Sequence, residues 1–224
     1  MSSLSQGDGD VSLQIAIDGP AASGKGTLAK TLAMALGYDY LDTGTLYRAV
    51  AKLAADANLV HPDGSFTETD IVEIARNLTL PLGNSDGLRT SEIAQIASKI
   101  ASNIAVREAL IDKQRQFAKT PPNGKGAVLD GRDIGTVILP DADLKLYIDA
   151  DVEVRAKRRF LELSAKDETI SQAQILADLI ERDTRDKTRK TAPLIPAPDA
   201  QIIDTSEMSA QEVLEIAVNL VKRL

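Results

Sequence analysis

The chain contains no cysteine and a single histidine among its 224 residues. Without cysteine there are no disulfides, no thiolate metal sites and no cysteine nucleophile. The lone histidine, His61, stands beside Pro62-Asp63-Gly64, a run that reads as a loop, where a surface histidine is structural rather than catalytic. Together these shortages exclude most hydrolase triads and histidine-rich metal sites. Long apolar runs are missing too: no stretch approaches the roughly 18 uninterrupted apolar residues needed to span a bilayer. A basic surplus is also absent. The formal net charge of −7 argues against general nucleic-acid binding, which wants a basic face. Residues 1–10 are rich in Ser, Gly and Asp, with no basic residue and no apolar core of a signal peptide. They read as a short disordered tail on a cytoplasmic protein.

What is present is ordinary for a globular protein: 43% hydrophobic and 26% charged residues, in a length that suits one generous domain. The charge is uneven. From Arg155 to Lys190 there are ten Lys and Arg against seven Asp and Glu, a net +3. A basic patch of that size suits a small anionic ligand better than a duplex.

Apolar runs alternate with helical periodicity. Leu13 to Asp18 reads as a buried strand, and Leu28, Leu32 and Leu36 then recur at helical spacing. Tyr38 to Leu41 predicts a short strand, followed by a helix from about Thr45 to Ala55. Ile93, Ile96, Ala97, Ile100 and Ile104 predict one amphipathic helix. After the turn Pro121-Pro122-Asn123-Gly124, strands are expected at Ala127 to Asp130 and Leu144 to Ile148. Helices follow at about Val152 to Leu163 and around Ile175, Leu176, Leu179 and Ile180. A last strand, Gln201 to Ile203, precedes a helix opened by Ser209-x-x-Glu212, with Val213, Ile216, Ala217, Leu220 and Val221 on one face. Strands separated by helices predict a parallel α/β sheet with helices on both faces, in one domain over residues 11–224.

Gly19-Pro20-Ala21-Ala22-Ser23-Gly24-Lys25-Gly26-Thr27 fits a phosphate loop, in a variant with an extra glycine between Lys and Thr. An apolar strand enters it and an amphipathic helix leaves it, as the motif requires. Glycines let backbone N–H groups converge on phosphate oxygens at a helix N-terminus. Lys25 supplies charge to the β- and γ-phosphates, and the Thr27 hydroxyl can reach Mg²⁺ directly or through water. The bland alternative is a Gly-rich turn with a chance lysine.

Such a loop does not by itself choose among kinase, GTPase and ATPase. No N-K-x-D run for guanine recognition is present. Leu41-Asp42-Thr43-Gly44-Thr45-Leu46-Tyr47-Arg48 offers hydroxyls and a guanidinium at a second helix start, although Thr43 or Thr45 could equally be a helix cap and Tyr47 a packing residue. Leu129-Asp130-Gly131-Arg132-Asp133 puts charges at a strand's C-terminal end, where open α/β sheets bind ligands. If the run from Glu181 to Arg189 is helical, then Arg182, Arg185 or Asp186, and Arg189 share a face. With Arg155, Lys157, Arg158 and Arg159 upstream, it looks like an arginine-rich lid closing over phosphates; a salt-bridged surface helix is the alternative.

Together these runs resemble the bacterial cytidylate kinases, within the nucleoside monophosphate kinase family. The likeness also rests on Arg89-Thr90-Ser91-Glu92, Val106-Arg107-Glu108-Ala109-Leu110, Ile134-Gly135-Thr136-Val137, Ala192-Pro193-Leu194 and Asp204-Thr205, in order over roughly residues 13–222. The resemblance implies a five-stranded parallel sheet flanked by helices, a mobile monophosphate-binding segment over about 43–120 and a lid over about 155–190. It implies ATP as donor, Mg²⁺, and CMP and dCMP as acceptors; with no exposed apolar stripe that demands a partner, a monomer is expected. Tyr47, Arg48 and Arg132, with Thr43 beside them, would hold the CMP phosphate, and Arg189 would join from the lid. Ser98, Arg107 and Asp133 would read the cytosine, and Arg182 and Asp186 the ribose. Lys25, Arg132, Arg158 and Arg185 would serve the transferring group. Family members carry a small inserted β-rich segment. Here Asn77 to Arg89 is too short for all its strands, and Gly83-Asn84-Ser85-Asp86-Gly87 makes a single tight turn.

Two other readings stand beside this one. Another small-substrate kinase, for UMP, AMP or shikimate, fits the loop but not the Asp130 to Asp133 and Arg182 to Asp186 runs. A non-catalytic nucleotide-binding regulator has little need for Arg185.

Overall fold

The computed structural model describes residues 12–61, 65–80, 87–88, 90–164 and 171–224. The expectations for the tail 1–10, the Pro62 to Gly64 loop, the turn over residues 83–86 and Arg89 lie outside these.

Five strands, β1 (Leu13–Asp18), β2 (Asp39–Asp42), β3 (Gly126–Gly131), β4 (Leu144–Asp149) and β5 (Gln201–Asp204), form one sheet in the order β2-β3-β1-β4-β5. Every pairing is parallel. Parallel neighbours need crossovers, which the helices supply. They are α1 (Lys25–Leu36), α2 (Thr43–Asp56), α3 (Glu68–Asn77), α4 (Ser91–Ile100), α5 (Ile104–Lys119), α6 (Val152–Ser164), α7 (Gln172–Thr188) and α8 (Ala210–Val221), with a short π-type turn at Ile134–Ile138. All six residues of β3 are buried, as expected of a strand covered on both faces.

One layer, α1 and α8, packs on β1 and β4 through Ile15, Ile17, Leu28, Leu32, Leu146, Ile148, Val213 and Ala217. The opposite face is closed by Ala16, Leu41, Leu129, Ile134, Ile138 and Ala118. Helices α2 to α5 have a cluster of their own around Leu46, Val50, Ile71, Ile96, Ile100 and Leu110. A small cluster joins α6 and α7 to the phosphate loop through Ala21, with Ala156, Ile175 and Leu179. Among the described residues, no helix is long and apolar enough to cross a membrane.

The helix expected through Ile93 to Ile104 is two helices. Its apolar spacing runs on unbroken, but Asn103 caps α5 by accepting from the Val106 amide at 3.0 Å, and Ile104 is left exposed. The second strand ends one residue later than expected, and α2 starts at Thr43, capped by Asp42, which accepts from the Thr45 amide at 3.2 Å. Neither threonine is the cap. At α8 the capping box forms as expected, but Ile216 is exposed; Val213 and Ala217 centre the buried face, flanked by Leu214 and Val218. Arg189 is the C-cap of α7 rather than part of its face.

Register carries the fold toward chemistry. Asp18 lies opposite Gly131, and Asp42 opposite Asp130, so the polar ends of β1, β2 and β3 meet at one edge of the sheet.

Candidate active site

The phosphate loop begins where β1 stops. Gly19 has φ +151° and lies against the Ile148 carbonyl of β4, where any side chain would overlap the oxygen. Gly24, at φ +92°, leads into α1. Both conformations are ones that L side chains rarely adopt, so the loop's path depends on these two glycines. Lys25 opens the helix and donates to the Pro20 carbonyl at 3.3 Å. Ser23 is fully buried, with its carbonyl accepting from Thr205 Oγ1 at 3.0 Å and its own hydroxyl without a partner. An orphaned buried hydroxyl beside the free amides of a helix start is suited to a phosphate oxygen. Thr27 is exposed on the first turn.

Asp130, noted in the sequence as a charge at a strand end but given no role, lies beneath this loop. Tyr40 Oη donates to Asp130 Oδ1 at 3.0 Å, and Asp130 lies beside Gly26. Burial, then Asp42, push the Asp130 carboxyl up to about 6, while Lys25 pulls against them. The Lys25 ammonium is drawn down from 10.5 to about 7, by burial first and Arg132 second. Asp130, Asp42 and Lys25 thus lie within electrostatic reach of one another under the loop. Three or more His, Cys, Asp or Glu do not gather into a metal cluster among the described residues.

The predicted acceptor residues come from five separate segments. Arg48 faces Asp42 at 3.4 Å. Thr43 is a strut, its Oγ1 donating to the Asp130 carbonyl at 2.8 Å. Tyr47 is buried beneath the Arg107 guanidinium, which lies 5.9 Å from the ring centroid, a cation–π distance. Arg107 donates to Asp133 and, at 3.2 Å, to the Ala101 carbonyl. Arg132 Nε donates to Asp186 Oδ2 at 2.9 Å, and Arg182 stands 3.7 Å from the same oxygen. Arg189 Nη2 lies 3.6 Å from Asp133 Oδ1.

Guanidiniums crowd this cluster. Burial and Arg132 bring Arg182 down to about 10. Burial lifts Asp133, against the pull of Arg107 and Arg189. At Asp186 burial is outweighed by Arg132 and Arg182, and the carboxyl sits below its usual range. Arg182 Nε and Arg189 Nη2 are buried with no hydrogen-bond partner. Spare cationic donors of this kind fit an anion carrying several oxygens.

The lid arginines divide. Arg155, counted in the basic patch, is buried: it donates to the Ala150 carbonyl at 2.8 Å, the Ala21 carbonyl at 3.2 Å and Asp183 Oδ2 at 2.6 Å. It ties the phosphate loop to α7, a role that only the sharing of a face with α6's apolar residues could have signalled. Arg158 donates to Thr205, at 2.6 Å to the carbonyl and 3.1 Å to Oγ1. Arg185 donates to Ser98 Oγ at 3.0 Å and pairs with Glu181. Each holds a protein oxygen: Arg158 is on the threonine whose hydroxyl donates to the Ser23 carbonyl of the phosphate loop, whereas Arg185 is at Ser98, away from that loop's contacts.

A cytidylate kinase family model matches residues 15–223. A cytidylate kinase of Paramagnetospirillum magneticum is 52% identical over 207 residues, covering 92% of this chain and 96% of that protein. One from Azorhizobium caulinodans is 48% identical over 209 residues, 93% and 98% of the two chains. Among solved structures, a shikimate kinase from Bacteroides thetaiotaomicron superposes with a TM-score of 0.52 at 12% identity, covering 94% of this chain and 98% of that one, a likeness of fold alone. With its phosphate loop, its arginine cluster and nearly its whole length matched at about half identity, the chain belongs to the cytidylate kinase family.

Proposed function

We propose that this protein transfers the γ-phosphoryl group of ATP to CMP or dCMP, giving ADP and CDP or dCDP. The observation that carries the reading is the pair of buried guanidinium nitrogens that make no hydrogen bond, Arg182 Nε and Arg189 Nη2, each held only in a longer ion pair, in a cluster whose Arg132 is near enough to Lys25 to lower its basicity. Two polyanion sites side by side are what phosphoryl transfer between nucleotides needs.

The loop from Gly19 to Thr27 holds the donor phosphates, with Lys25 on the β- and γ-groups. Thr27 would hold Mg²⁺, which offsets charge on the transferring group when bound. Tyr47, Arg48, Arg132 and Arg189 hold the acceptor phosphate. Ser98, Arg107 and Asp133 read cytosine; Arg182 and Asp186 take the ribose. A phosphate monoester has a second pKa of about 6, so the acceptor oxygen is already anionic near neutrality. No general base is needed, in keeping with a chain whose single histidine is exposed at position 61. The protein's work is to align two anions and offset their repulsion. On closure, Arg158 and Arg185 exchange Thr205 and Ser98 for phosphate oxygens, and the lid over about 155–190 excludes water that would hydrolyse ATP. The proposed setting is the cytoplasm, as a monomer acting on free nucleotides rather than on nucleic acid or membrane, a reading that the net charge of −7 favours.

ADP release measured with CMP, dCMP, UMP, AMP and shikimate tests this. CMP and dCMP should give the highest kcat/KM; a higher value for any other acceptor overturns the assignment. Asp133→Ala removes the acceptor proposed for cytosine's exocyclic amine. The CMP-to-UMP ratio of kcat/KM should fall by about tenfold or more, the loss of one hydrogen bond to a charged group. An unchanged ratio would take Asp133 out of base recognition.

A further inference from the structure

Asp18 is the last residue of β1 and the neighbour of Gly19. Its carboxylate is buried, and it holds nothing in the donor loop. Instead Oδ1 accepts from the Ile134 amide and Oδ2 from the Gly135 amide, each at 2.8 Å. Those amides open the π-type turn Ile134–Ile138, which directly follows Arg132 and Asp133. The far end of the turn is held by Arg115, whose Nε and Nη2 donate to the carbonyls of Ile138 and Val137, each at 3.0 Å. Between these anchors the Asp133 carbonyl accepts from the amides of Val137 and Ile138, at 2.9 and 3.2 Å. The backbone that aims Arg132 and Asp133 is thus clamped at one end by a carboxylate from the donor strand.

We propose that Asp18 is a positioning residue for acceptor recognition: by holding the Ile134 and Gly135 amides, it sets the Arg132-Asp133 backbone that receives the monophosphate nucleotide. The inference rests on the reading of Arg132 and Asp133 as acceptor residues. The ionised carboxylate accepts at full strength on both oxygens, whereas a protonated one keeps only a weak acceptor on its hydroxyl oxygen, so the ionised form holds the clamp more tightly. Burial pushes that carboxyl up to about 7, against the two amides; Asp133 adds to the rise, and Lys25 opposes it. Tyr147, opposite Asp18 on β4, is neutral near pH 7, its hydroxyl pushed up to about 12. Lys145, which packs on Gly135, is committed to Asp199 at 2.8 Å. As pH falls through about 7, Asp18 takes up a proton and presents a donor to a donor. The clamp is then weakened at one amide.

Asp18→Asn imitates that protonated state at every pH. The test measures KM for CMP and for ATP, the CMP-to-UMP ratio and the melting temperature, from pH 6 to 8. With the fold retained, the variant should raise KM for CMP about tenfold at pH 8, leave KM for ATP within about threefold and narrow the CMP-to-UMP ratio. The wild type should show KM for CMP rising as pH falls, with a midpoint near 7, and the variant should lack that step. An unchanged KM for CMP, or equal rises in both KM values, overturns the proposal. If the variant does not fold, the wild-type profile decides. A CMP-to-UMP ratio that narrows as pH falls upholds the proposal, and a ratio constant from pH 6 to 8 defeats it, because the ionisation of the nucleotide phosphate, near 6, is common to both acceptors. Failure of the underlying reading looks different: the wild type would then not phosphorylate CMP at all.

Discussion

Lys25→Met lowers kcat/KM for phosphoryl transfer about a thousandfold, close to 4 kcal/mol of transition-state stabilisation at roughly 1.4 kcal/mol per tenfold. The expectation follows from what Lys25 does before any nucleotide arrives. Its single hydrogen bond is to the Pro20 carbonyl, and burial together with Arg132 disfavours its charge. A lysine kept in so costly a state contributes to the bound complex rather than to the fold. The variant should therefore melt no lower than the wild type at neutral pH. The sign can be checked. With a folded pKa of about 7 against 10.5 unfolded, the unfolded chain holds more protons at this site across that window. Wild-type stability accordingly rises with pH between those values, and the variant should lose that part of the slope. Activity within a few-fold of wild type would remove Lys25 from the reaction.

Arg132→Ala should be as damaging to activity, by about a thousandfold, but unlike Lys25→Met it should also destabilise. Arg132 supplies the hydrogen bond to Asp186 at 2.9 Å, leaving Arg182 at 3.7 Å as that carboxylate's remaining ion pair among these arginines. Asp186 is buried, and breaking a buried pair costs about 3–5 kcal/mol. Two further variants separate the effects. Arg132→Ala combined with Asp186→Asn should recover much of the melting temperature while staying inactive. Arg132→Lys keeps the charge but not the planar fork, and should remain at least tenfold impaired. Recovery of activity along with stability in the double variant would reduce Arg132 to a structural residue.

The phosphate-loop half of the candidate site was legible because it is local. Gly19 to Thr27 encode loop, helix start and lysine in nine consecutive residues, and the backbone angles at Gly19 and Gly24 explain why glycine stands there. The half proposed for the acceptor was not legible as one site from spacing. Tyr47, Ser98, Arg107, Asp133 and Arg182 are far apart in the chain, and only the family likeness assembled them. Buried polar links were harder still. Asp18 read as the end of an apolar strand, yet its partners are 116 and 117 positions away. Arg155 counted as surface charge, yet it is enclosed by α6, α7 and the loop. The break between α4 and α5 was missed because apolar periodicity continued through it; Asn103, three residues before Val106, was the available signal. Local chemistry shows in local sequence, whereas long-range hydrogen bonds leave no spacing to find.

The most direct test of the account follows the phosphoryl group itself. The protein is incubated with ATP labelled at the γ-phosphate, Mg²⁺ and CMP, and the products are separated. The account predicts label in the β-phosphate of CDP, one for each ADP formed, with little inorganic phosphate. Label released mainly as inorganic phosphate, or carried to UMP in preference to CMP when both are offered, would contradict it.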